Sequence, residues 1–575
     1  MSPVILKDAF KTVTTDQDKT IAPEETVRRF REKTRDLGLR ILKETKRIDT
    51  GRLDIPVYFS VCGPDATAVT RTTKQMGKGA TVHQAEASAV MELAERFSFF
   101  SFADTAENFH AATYAGLASR AIPFELIARS VHDESDELAE ARVLFESLPL
   151  QWVEGYNLTR NTDMMIPFDW FFMINEFNGP SAGNCAEEAI LQGLCEVVER
   201  HVSSLISREK RRVPHIDPAS VTDPVVIDML RKYKAAGIRV FLSDFTLDMG
   251  IPTVGVLAYD PVTFPRKSEI VWTAGTAADP QKALSRALTE TAQLAGDFET
   301  GANYVASGLP KFKNIEDADF ITGPGPTLPI TQLPDLSDRN IKVEIQRCVS
   351  ALKKRGMEVL LVETTHPQLG VPAFYTIVPG AHFRERAAGT SVAMFCAKMV
   401  AERMPPDQAI GRLNEMDRIL PGKYFIQFYL GYCRLATGDP ESAIPHFERA
   451  LDLNPTDQDR SSIYSYMGVA LKETERFDQA LEVLEKGADL DEDRTDIYNL
   501  MGFCRFKRQE HEKAIDCFKK VISLNPGSAI DYANIGVNYR ALGNMEKAVQ
   551  YYMMALEIDP SIGFAREHLE ELGKG

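Results

Sequence analysis

Residues 188 to 204, "EAILQGLCEVVERHVSS", set Glu188, Gln192, Glu196, Glu199 and Arg200 at intervals of four, four, three and one. On a helix this spacing stacks three carboxylates, an amide and a guanidinium along one face. Two other stretches repeat the pattern. In "ASAVMELAERFSFF", Ser88, Glu92, Glu95 and Arg96 fall at 0, 4, 7 and 8, and in "ALSRALTETAQLAG", Arg286, Glu290 and Gln293 fall at 0, 4 and 7. Asn184 stands one turn ahead of Glu188. A solvated helix face would account for scattered glutamates. Here, however, E-x-x-E-R occurs twice among apolar neighbours that belong in a core. Stacked glutamates without lysine partners repel by about 0.2–0.5 kcal/mol per pair at a surface and by more when buried, so a cation among them is the simplest way to hold such a face.

Ligand hardness selects the cation. Oxygen ligands with no histidine or cysteine beside them suit magnesium, which is held by one or two carboxylates together with phosphate oxygens and water. A di-iron or di-manganese bundle also uses helical glutamates, but it requires Glu-x-x-His on two of its helices. The nearest such pattern, Glu107 to His110, lies outside all three stretches. Magnesium beside arginines points to a nucleotide, yet the chain has no G-x-x-x-x-G-K-[ST], and "GKGATVH" does not complete a G-x-G-x-x-G. If ATP binds, helical side chains hold it through metal ions.

These faces need a scaffold. Strand-like runs ("LDIPVYFSVCG", "IRVFLSDF", "TVGVLAYD", "MEVLLVETT", "VPAFYTIVPG") mixed with long amphipathic helices predict an α+β domain over residues 1–405. Residues 321–335, "ITGPGPTLPITQLPD", read as a loop, and 406–422 as a linker to the C-terminal part of the chain. Over 423–575 the chain repeats. Gly431, Gly468, Gly502 and Gly536 recur in step with Ala443, Ala480, Ala514 and Ala548, at spacings of 37, 34 and 34. This resembles an all-α tetratricopeptide repeat solenoid of about four repeats, closed by a capping helix in "SIGFAREHLEELGKG". Such an array serves either as a groove for a peptide or partner protein, or as a stalk.

Composition narrows the classes. The 575 residues are too many for one hydrophobic core, and 44% hydrophobic with 26% charged residues is ordinary for a globular chain. A net charge of -16 opposes binding to a phosphate backbone, which argues against direct nucleic-acid contact. Neither a secretory leader nor a membrane-length apolar run is evident, so the cytoplasm is the expected compartment. The eight cysteines show no C-x-x-C spacing and read as reduced, mostly buried thiols.

The stretches "GKGATVHQAEASAVMELAERFS", "GPSAGNCAEEAILQGLCEVVERHV", "ALSRALTETAQ" and "IVPGAH", with "DKTIAPEETVRRF" more loosely, resemble the YcaO family, in particular its stand-alone members. The resemblance implies ATP- and Mg2+-dependent activation of a peptide backbone amide, as in cyclodehydratases and thioamide-forming enzymes, or an accessory role in methylthiolation of a small-subunit ribosomal protein beside a sulfur-modifying enzyme. It also implies that Glu92, Glu95, Glu196 and Glu199 hold metal. Lys19, Thr26, Ser88, Asn184, Glu188, Gln192, Arg200, Arg286 and Glu290 would then meet the nucleotide and its phosphates. Arg96, Lys78 and Gln293 have places in the motifs without an assigned role. The family often pairs through its ATP-binding domain, so a homodimer is expected. The chain lacks the proline-rich tail and fused peptide-recognition domain of many azoline-forming members, so a partner or the repeats must supply recognition of a peptide or protein substrate. The competing expectation is an ATP-sensing scaffold whose repeats recruit a partner.

Overall fold

The computed structural model describes residues 4–117, 119–265, 268–298, 312–383 and 390–572. The chain divides into two compact units, Met1–Ser135 with Glu146–Ser391, and Asp136–Phe145 with Val392–Gly575.

The first unit is built on three sheets. A three-stranded antiparallel sheet pairs Leu42–Arg47, Val57–Cys62 and Lys74–Lys78 in that order. A five-stranded sheet runs Val271–Thr276, Thr253–Tyr259, Arg239–Asp244, His215–Asp217 and Thr327–Pro329, antiparallel except for the last pair. A six-stranded antiparallel sheet contains Leu360–Glu363 and Ala373–Ile377 and ends on Pro180–Ala182. All five strand-like runs of the sequence form strands. The stretch 321–335 differs: Thr327–Pro329 joins the five-stranded sheet at its edge, where the missing N–H of Pro329 is tolerated.

Three helices carry the glutamate motifs: Val82–Ala103, Ala186–Glu209 and Pro280–Ala295. Each has a legible start. The Thr81 hydroxyl accepts from the Gln84 N–H, Glu187 and Glu188 place negative charge in the first turn of the second helix, and Asp279 caps the third with Pro280 at its first position. The second helix stops at Lys210 and the third at Gly296, both left-handed.

Glycines on neighbouring strands bring these helices close. A Cβ on Gly77 would lie 2.0 Å from the Ala89 nitrogen of the first helix, and one on Gly275 would lie 2.3 Å from the Ala283 oxygen of the third. Because these contacts are backbone to backbone, the helices seat at a depth that any side chain would prevent.

In the second unit, four helix pairs, Tyr424–Ala436 with Pro440–Asp452, Asp457–Glu473 with Phe477–Leu490, Thr495–Lys507 with His511–Leu524, and Ala529–Ala541 with Met545–Ile558, precede a final helix, Gly563–Leu572. Cβ atoms at Gly431, Gly468, Gly502 and Gly536 would meet Phe447, Leu484, Phe518 and Tyr552 at 2.5–2.7 Å. That close contact between paired helices explains the glycine period. The expected linker at 406–422 is instead largely a helix, Pro406–Ile419. It and Val392–Arg403 pack with Tyr424–Ala436, and Phe395, Met399 and Leu413 on these two helices are buried, so the second unit takes in residues 392–422 as well as the repeats and Asp136–Phe145.

The described residues contain no helix long and apolar enough to cross a membrane. All eight cysteines are free, and six of them are buried.

Substitution Gly275→Val forces the Pro280–Ala295 helix away from its strand. A loss of about 1–3 kcal/mol is expected, read as a lower midpoint in thermal or urea unfolding, whereas Gly411→Ala, on an open face of the Pro406–Ile419 helix, should cost less.

Candidate nucleotide and metal site

The three motif helices turn their polar faces into one cavity of about 640 Å³. Its lining contains all thirteen residues singled out for metal or nucleotide: Glu92, Glu95, Glu196 and Glu199, and Lys19, Thr26, Ser88, Asn184, Glu188, Gln192, Arg200, Arg286 and Glu290. Arg96, Lys78 and Gln293 are there as well.

Within the cavity the glutamates stand in pairs. Arg96 donates to Glu92 through Nε and Nη2 at 3.1 and 3.0 Å and lies 3.5 Å from Glu95. Arg200 is further from its own pair, 3.8 Å from Glu196 and 4.0 Å from Glu199. The backbone contributes donors to the second pair: the Gly179 N–H reaches Glu196 Oε2 at 3.3 Å and the Thr276 N–H reaches Glu199 Oε2 at 3.1 Å. Among the described residues, no three His, Cys, Asp or Glu side chains converge as a ready-made metal cage.

The electrostatics show that these charges are incompletely compensated. Burial pushes the Glu95 carboxyl well above the usual range, and Glu92 beside it adds to the rise. Glu196 is raised by burial too, although Arg200 and Arg96 oppose it. Glu188 behaves in the opposite way. Burial would raise it, but the Lys19 charge and donors from Thr20 and Asn184 outweigh that and hold it below the ordinary carboxylate value. Its Oε1 accepts from the Thr20 N–H and hydroxyl, both at 2.6 Å, and its Oε2 accepts from the Asn184 N–H and side-chain amide at 3.0 and 2.9 Å. Thr26 closes the chain by donating to Asn184 Oδ1 at 3.0 Å.

On the third helix, Arg286 donates to Gln192 at 2.7 Å, while its buried Nε has no partner among the described residues. Lys78 pairs with Glu290. Burial, reinforced by Arg286, holds the Lys78 ammonium down to about 8.

This donor set fits a divalent cation that brings its own anionic ligands. Two carboxylate pairs, all oxygen, with the rest of the coordination left to phosphate and water, match magnesium rather than an all-protein cage. The unpartnered Arg286 Nε and the flanking Arg200 and Lys19 are donors suited to phosphate.

Sequence reasoning missed Thr20, which holds Glu188, and Gln17, which also lines the cavity. Both sit beside the singled-out Lys19, but the Thr20 contact spans 168 positions of chain and leaves no periodic signal. Phe59, Met76 and Met91 form a less polar end of the lining that the sequence did not mark.

The sequence signature described as YcaO cyclodehydratase, ATP- and Mg2+-binding, matches residues 76–382, and tetratricopeptide repeat signatures match 434–504 and 493–561. An uncharacterised protein of Methanothermobacter thermautotrophicus is 30% identical over 63% of this chain and 94% of its own length. The ribosomal protein S12 methylthiotransferase accessory factor YcaO of Escherichia coli is 28% identical over 63% of this chain and 65% of that protein. A solved heterocyclase in complex with substrate and cofactor shares the fold, with a TM-score of 0.55 and 24% identity over 66% of this chain; this chain spans only 55% of the heterocyclase.

The raised carboxyls carry a sign. Where the folded state keeps a proton that the unfolded state has lost, stability falls as pH rises from the ordinary carboxylate range through the raised folded value. Against the rising contribution of the buried His201 and half-buried His382, whose lowered values act in the opposite sense, Glu95 and Glu196 give the ligand-free protein a downward slope of stability between about pH 5.5 and about pH 7. Glu95→Gln should flatten that slope and raise the neutral-pH midpoint by a few degrees, about 1 kcal/mol. A midpoint lowered by Glu95→Gln would mean that Arg96 already satisfies the carboxylate.

Proposed function

The chain belongs to the YcaO family of ATP- and Mg2+-binding proteins, and from that premise we propose that it uses ATP to activate a backbone amide of a peptide or protein substrate. The observation that carries this reading is the gathering of two E-x-x-E-R faces and the Arg286 face around one cavity. An amide oxygen is a poor leaving group; the γ-phosphoryl group of ATP supplies a good one, and magnesium neutralises the triphosphate as it is positioned.

The chain's own residues divide that work. Glu92, Glu95, Glu196 and Glu199 would hold Mg2+, and the high proton affinity of Glu95 and Glu196 without a cation supports that assignment. Arg96 orients the first pair by donating to Glu92 and lying beside Glu95. Arg200, Arg286, Lys19 and Asn184 would meet phosphate oxygens, with Ser88, Thr26, Glu188, Gln192 and Glu290 completing the nucleotide surround. Lys78 is engaged with Glu290 and sets the orientation of that carboxylate.

Ring or thioamide formation by this chain would use this activation step; an accessory role in methylthiolation is the other reading. The accessory reading draws on the role of the Escherichia coli relative and on the repeats, whose groove is a place for a partner protein. An ATP-sensing scaffold would need nucleotide binding without turnover.

Calorimetric titration of ATP into the full chain, with and without magnesium, tests the site. Wild type should bind only with magnesium, and Glu196→Ala, with its circular dichroism unchanged, should bind at least tenfold more weakly, about 1.4 kcal/mol. Magnesium-independent binding, or equal binding by the variant, would remove the glutamates from the metal site. Slow ADP release by the wild type separates an enzyme from a sensor.

A further inference from the structure

One short segment touches the N-terminal turns of all three motif helices. The carboxylate of Asp16 accepts the backbone N–H groups of Ala80 and Thr81, at 2.7 and 3.1 Å, where the Val82–Ala103 helix begins. The Thr20 N–H and hydroxyl both reach Glu188, and the Lys7 N–H reaches Glu187 at 2.6 Å, in the first turn of Ala186–Glu209. The Thr15 carbonyl accepts from Lys282 Nζ at 3.0 Å, in the first turn of Pro280–Ala295.

The segment is closed on itself by an antiparallel bridge between Val13 and Lys19. The Lys19 N–H donates to the Val13 carbonyl at 2.9 Å, and the Thr12 and Val13 N–H groups donate to the Lys19 carbonyl at 2.9 and 3.1 Å. Asp16 is the buried tip of this loop, 5% exposed. Its Oδ2 serves both N–H groups, and its Oδ1 is buried with no partner among the described residues. A buried carboxylate with half its acceptor capacity unused is costly to keep, and its charge is well placed only because the positive end of a helix lies beneath it. From this loop Gln17 and Lys19 reach the lining of the large cavity. All of it precedes residue 76, where the family signature begins.

We propose that Asp16 is a positioning residue that pins the 13–19 loop to the start of the first motif helix, making the loop a strap that delivers Lys19 to the nucleotide cavity. The proposal rests on the nucleotide reading of that cavity. Asp16 acts through Lys19 and does not itself touch the ligand. Three separate anchors tie the strap to the starts of all three motif helices.

The test uses the full chain and two readouts. In titrations of ATP with magnesium, Asp16→Ala, which removes the acceptor, should weaken binding at least tenfold, while Asp16→Asn, which keeps an oxygen at the same reach, should stay within about threefold of wild type. In a Lys19→Ala background, Asp16→Ala should add less than twofold, because its route to the ligand is already cut. In the ligand-free protein, trypsin should cut after Lys19 faster in Asp16→Ala than in wild type.

Unchanged affinity and unchanged cleavage in Asp16→Ala would overturn the proposal, and so would a full, additive loss in the Lys19→Ala background or an Asn variant as weak as Ala. A wild type that binds no ATP would overturn the nucleotide reading instead. The ligand-free digestion would then still decide whether Asp16 holds the strap.

Discussion

Like charges confined to one cavity are the constraint on which the first unit depends. Glu92, Glu95, Glu196 and Glu199 face a common space, and burial raises the proton affinity of Glu95 and Glu196 rather than relieving it. Left to themselves such side chains would turn outward or draw water in. They stay because the helices that carry them cannot rotate or withdraw: each is capped or charge-matched at its start, and the first and third motif helices are pressed onto strand glycines at backbone contact. The arginines next in sequence offset part of the repulsion without consuming every carboxylate oxygen.

The compensation of Glu188 and Glu196, on the same helix, differs sharply. Glu188, at the first turn, is saturated by donors from Thr20 and Asn184 and is held ionised. Glu196, two turns later, has one long backbone bond and a distant arginine. The charge most fully met by the protein therefore lies at the helix start, where the dipole also favours it, and the least satisfied lies deeper, where a cation has most to gain.

In the second unit the glycines face bulky side chains instead of backbone, and they set how closely paired helices pack. Phe447, Leu484, Phe518 and Tyr552 fill the space that Gly431, Gly468, Gly502 and Gly536 leave, and the repetition produces a solenoid whose neighbouring helix pairs bury one another. The acid-rich cavity is lined by residues of the first unit, and the second unit carries the tetratricopeptide repeat signatures.

The sequence by itself determined whatever repeats along the chain at short range. A period of about 3.6 put Glu92, Glu95 and Arg96 on one face, a period of about 34 disclosed the repeats, and both survive folding because they are properties of single helices and adjacent pairs. Those faces were enough to name a magnesium-compatible surface before any fold was known. Tertiary structure decided what a lone helix cannot encode: that three faces far apart in the chain meet in one cavity, that Thr20 and Asn184 saturate Glu188 while Glu95 is only partly compensated by Arg96, and that the segment 406–422 is largely helical rather than a linker. The physical reason is the range of the forces. Helix periodicity and capping act within a few residues, whereas desolvation and charge compensation depend on which distant groups packing brings alongside.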